Sequence, residues 1–99
     1  MKTKKLLSPQ AIIKAASVIS GKPINVIRGS SRASSVVAVR DLCIKLCKDY
    51  LCVADRDIAV SFGKDRSSIC IALKRVEKNL DQRDQYRLLL ELVKGDLGL

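Results

Sequence analysis

Apolar residues recur along this chain at intervals of three and four, and turn-forming residues separate the runs. No alternating run lasts long enough to suggest a sheet, so the pattern predicts an all-α fold of five to six helices. Ser8-Pro9 offers an N-cap followed by proline at the first helical position. From there Ile12, Ile13, Ala16 and Ile19 share one face until Gly21, which gives a helix over about 9–20. Pro23 opens a short turn through Ile27, and Arg28-Gly-Ser-Ser-Arg32 has no periodicity and reads as a loop whose small residues permit close approach.

The longest helix is expected over about 35–51, with Val36, Val39, Cys43, Leu46, Cys47 and Tyr50 on its core face. Its β-branched start is a poor local helix former, so packing must hold that end. Next come a helix over about 56–62, capped by Asp55 and ended by Gly63, and one over about 66–79, capped by Asp65. They bury Ile58, Phe62, Ile69, Ala72, Leu73 and Val76. A last helix is expected over 81–94, with Asp81 and Asp84 in its first turn, Tyr86, Leu89, Leu90 and Val93 facing the core, and Gly95 and Gly98 releasing the terminus. Residues 1–7 then form a basic arm, 8–94 one domain, and 95–99 a flexible end.

The helix, glycine turn and second helix across 55–79 have the form of a helix-turn-helix, with Arg66, Ser67 and Ser68 on the first turn of the second helix, where base edges are met. Charge is consistent with this. The 99 residues carry a formal net charge of +9, unevenly placed: 16 Lys+Arg against 6 Asp+Glu up to residue 80, and 3 against 4 after it. A basic body attracts a polyanion and gains from released counterions. With only Tyr50, Phe62 and Tyr86 as aromatics, single-strand recognition through stacked bases is disfavoured.

Cys43, Cys47, Cys52 and Cys70 form no Cys-x-x-Cys pair and the chain has no histidine, so they read as small core hydrophobes, with no metal and no cofactor expected. Without histidine, paired carboxylates in a pocket-like motif, or a nucleophile beside a base, no enzyme activity is expected. No apolar leader or membrane span is legible, because Lys2, Lys4 and Lys5 precede only Leu6 and Leu7 before the first helix. A soluble, cytoplasmic, nucleoid-associated protein is the expectation.

Two blocks carry a resemblance. One is Arg32-x-x-x-Val36-x-x-x-Arg40. The other is Ile58-Ala59-x-x-Phe62-Gly63-Lys64-Asp65-Arg66-Ser67-Ser68-Ile69, followed by Ala72-x-Lys74-Arg75-Val76. In order and spacing they resemble the C-terminal DNA-binding domain of the bacterial replication initiator DnaA, a helix-turn-helix fold of the Trp-repressor-like kind, over about residues 8–94. The resemblance implies sequence-specific double-stranded DNA binding at initiator-type sites, by a regulator or competitor or by the DNA-binding part of an initiator. It implies Arg32 in the minor groove, Arg40 and Lys48 on phosphates, Lys64 just before the recognition helix, Asp65, Ser67 and Ser68 at base edges, and Lys74 and Arg75 along the backbone.

Arg66 stands where the family has histidine, which shifts the expected preference towards guanine acceptors. The turn between Gly63 and Asp65 is one residue shorter than is common. Asp41 puts an acid where the family often has glutamine near phosphate, and is expected to weaken that contact. The 99 residues contain no Gly-x-x-x-x-Gly-Lys-Ser/Thr loop, so ATP-driven assembly is not expected of them. The alternative is a basic helical module that docks an acidic replication or transcription protein.

Overall fold

The computed structural model describes residues 7–51 and 53–99, and among them it contains six helices and no strand. These are α1 (Pro9–Ser20), α2 (Ile24–Arg28), α3 (Ser34–Leu51), α4 (Asp55–Phe62), α5 (Arg66–Gln82) and α6 (Asp84–Leu97). The basic arm falls outside the described residues except for Leu7.

Boundaries follow local chemistry. Ser8 accepts a hydrogen bond from the Ala11 N–H at 3.1 Å with Pro9 in the first turn, and Gly21 closes α1 at φ +76°. At the end of α4, Gly63 sits at φ +62°, its N–H donates to the Val60 carbonyl, and the Lys64 N–H donates to Ala59 at 2.8 Å. This paired closure satisfies two carbonyls that the helix end would otherwise orphan.

α3 is the central element and packs against α1, α2, α4 and α5, while α6 lies against α1 and α5. Ile12, Ile13, Leu42, Cys43, Ile44, Leu46, Cys47, Ile58, Phe62, Ile69, Val76 and Val93 form an aliphatic interior with one phenyl ring. Each large apolar side chain buried there contributes about 1.5–3 kcal/mol. Val36 and Val39 are buried too, so packing does hold the β-branched start of α3. Tyr86 crosses from α6 to donate its hydroxyl to the Ala38 carbonyl at 2.6 Å, and burial pushes its phenol well above the usual range.

Several expectations need correcting. Asp55 is not the cap of α4: Ala54 holds that position without a side-chain bond, and the Asp55 carboxylate accepts from Lys48 Nζ at 2.7 Å. α5 runs on to Gln82, so Asp81 lies in its last turn. An extended Arg83 (φ −126°, ψ 109°) breaks the chain between α5 and α6, without glycine or proline. α6 continues through Gly95, and only Gly98, at φ +76°, ends it. Tyr50 is exposed, with Lys94 Nζ 5.9 Å from its ring centroid. Cys43 and Cys47 are buried, and burial drives the Cys47 thiol up to about 12, but Cys70 is exposed; Cys52 lies outside the described residues.

Candidate nucleic-acid interface

The Arg28–Arg32 segment and the head of α5 come from opposite halves of the chain, yet they form two walls of one cleft of about 420 Å³. Ser30, Ser31 and Arg32 line one side, and Lys64, Ser68, Ile71 and Arg75 the other. Arg40 and Asp41 lie on its floor. Five of the sequence-predicted residues therefore line one gap bearing cations on both sides: Arg32, Lys64, Ser68 and Arg75 on its walls and Arg40 on its floor.

The head of α5 is built locally. Asp65 Oδ1 accepts from the Ser68 N–H at 2.8 Å, which satisfies one free donor of the first turn. That bond holds the Asp65 carboxyl below the usual aspartate range. Arg66 and Ser67 are exposed beside it. Farther along, Ile69, Ala72 and Val76 face the core, which leaves Ser67, Ile71, Lys74 and Lys78 on the opposite, exposed stripe. Ile71 and Lys78 share this stripe with the expected Ser67 and Lys74, and the same helical spacing that marks the buried face also marks theirs.

Arg40 differs from its expected place. Instead of presenting its guanidinium to solvent, it is 5% exposed and donates through Nε to the Ile27 carbonyl at 2.7 Å, through Nη1 to Ser31 at 3.0 Å and through Nη2 to Val26 at 3.3 Å. All three donor nitrogens hold the backbone of α2 and the following loop. Burial lowers its pKa against the opposing effect of Asp41, yet a guanidinium remains a cation there. The loop's close approach is to its own helix, since a Cβ on Gly29 would lie 3.0 Å from the Asn25 carbonyl oxygen.

Asp41 does not lie free beside a phosphate position either. It is 1% exposed, and its two oxygens accept from Arg75 Nε at 2.8 Å and Nη2 at 3.1 Å. The pair raises the pKa of Arg75, whose side chain stays half exposed at the cleft. Lys48 is outside the cleft, at the other end of α3, where it holds Asp55. Lys74 is exposed on α5. No helix among the described residues is long and apolar enough to cross a membrane.

No protein-family model matches the chain. It is 25% identical over 95 residues to "Chromosomal replication initiator protein DnaA 2" of Chlamydia pneumoniae, covering 96% of this chain and 21% of that protein. It is 25% identical over 97 residues to the protein of the same name in Chlamydia trachomatis, covering 98% and 21%. Against DnaA 2 of Protochlamydia amoebophila it is 28% identical over 82 residues, covering 83% and 18%. The chain spans about a fifth of the length of the curated relatives it matches, and it is DnaA-like over nearly all of its own length.

Proposed function

We propose, from the DnaA-like character of the chain and the cleft it builds, that this protein binds double-stranded DNA through residues 8–94 and reads its sequence. The carrying observation is the meeting of Arg32 with Lys64, Ser68 and Arg75 across the cleft beside the exposed polar head of α5. A duplex backbone between the two walls puts the first turn of α5 in the major groove and Arg32 in the adjacent minor groove, whose narrow, negative floor suits a guanidinium. Asp65, Arg66, Ser67 and Ser68 then face base edges. Lys64, Lys74, Arg75 and Lys48 act on phosphates and set register. Lys48 gives up part of this to its bond with Asp55. In a longer protein the same surface serves as the DNA-binding part of an initiator; alone it serves as a regulator or competitor at initiator-type sites.

Selection of duplexes from a random-sequence pool, followed by titration at several salt concentrations, tests the reading. The protein should enrich a defined sequence and bind it more tightly than its scrambled counterpart, with affinity falling steeply as salt rises. Arg66→Ala should alter the preference at one base pair by about 1–3 kcal/mol, while Lys48→Ala weakens both duplexes alike. Equal affinity for enriched and scrambled duplexes would overturn it in favour of a protein-docking module.

A further inference from the structure

Two consecutive residues of α3 reach the two walls of the cleft. Arg40 grips the loop wall through the carbonyls of Val26, Ile27 and Ser31, and Asp41 grips the helix wall through Arg75. Successive side chains on a helix diverge by about 100°, so neighbours in sequence can serve different neighbours in space. Asp41 is almost wholly buried, and its contact with Arg75 is two-pronged, a geometry that fixes the plane of a guanidinium as well as its position. Ile69, Ala72 and Val76 pack α5 into the core, and among the described residues the other polar bond between these two helices, Lys45 to Glu77, is a single-point contact with an exposed carboxylate.

We propose that Asp41 is a positioning residue for DNA recognition: its two-pronged hold on Arg75 sets the rotation of α5 about its own axis relative to the Arg32 loop that Arg40 anchors. This rests on the DNA-binding reading above. A rotation of about 10° carries a side-chain tip roughly 5–6 Å from the helix axis through about 1 Å. That displacement is enough to spoil a base contact, while a phosphate contact made by a long flexible cation survives it. The acid expected to weaken a phosphate contact thereby acts on selectivity, by holding the reading face in register.

The test is a double-mutant cycle with Asp41→Asn, Arg75→Lys and the double variant, measured on the duplex that wild-type protein enriches from a random pool and on its scrambled counterpart. The readout is the ratio of the two affinities, from which the fraction of folded protein cancels. Each single variant should lower the ratio by about tenfold, the scale of one lost bidentate base contact, and the double variant should lower it no further. If Asp41→Asn instead raises both affinities by one factor, the carboxylate only offsets a cation and the proposal fails. Single effects that multiply in the double variant also overturn it. Should Asp41→Asn not fold, Arg75→Lys keeps the charge without the fork, and an unchanged ratio there sinks the proposal. A wild-type ratio of one removes the DNA reading and this inference together, whereas a wild-type preference that the variants leave intact removes this inference alone.

Discussion

The two walls of the cleft hold their shape by different means. The turn before α5 is assembled from its own residues: Gly63 at positive φ, the Lys64 N–H on Ala59, and Asp65 on the Ser68 N–H. In the loop before α3, shape comes from a side chain outside it, because Arg40 holds carbonyls nine to fourteen residues earlier in the chain. A locally closed turn can form as soon as its helix does. A loop held from below is ordered only after α3 has packed against α2, so its order depends on the tertiary structure.

The largest expected effect breaks the remote anchor. Arg40→Ala strands the carbonyls of fully buried Ile27 and of Ser31, while Val26 keeps the Gly29 N–H, and should cost roughly 2–4 kcal/mol of stability in denaturant titration. In the same variant, amide exchange should accelerate at residues 28–33 far more than at 63–68. Equal acceleration in both segments would erase the contrast between the walls. Next comes Gly63→Ala. Nothing lies within 4 Å of an added Cβ, so only the left-handed backbone resists, at about 1–2 kcal/mol. Its exchange signature should stay at the turn and leave the loop unmoved.

The smallest effect sharpens the local wall. Because the Asp65 carboxyl is held below its ordinary value by the Ser68 N–H, its capping contribution is present above the unfolded aspartate range and lost as pH falls through the folded value. Thermal midpoints of wild type and Asp65→Asn should therefore differ at neutral pH and converge on acidification. A constant gap across that range would show that the carboxylate charge plays no part in the cap.

The same division governs what the sequence made legible. Ser8-Pro9, Gly21, Gly63 and Asp65 act within a few residues of themselves, and each marks the boundary expected of it. The core faces of α1, α3 and α5 followed from helical spacing, except for Tyr50 at the end of α3, which is exposed. What stayed hidden depends on contacts across the fold. Asp41 and Arg75 are 34 residues apart, and nothing in either neighbourhood announces the pairing. An arginine near the start of a helix looks the same whether it points to solvent or under a loop, so the sequence carries no sign of the inward course of Arg40. Arg83 breaks the helix between α5 and α6 with a residue that carries no breaker signal.

The placement of Arg40 also bears on transplanting the loop before α3. Grafting residues 26–32 onto another pair of helices would carry the letters of the loop but leave behind the buried guanidinium that gives them their form. The smallest portable unit is the loop together with the first two turns of α3, and a chimera that cuts between them would inherit Arg32 on a backbone with nothing beneath it.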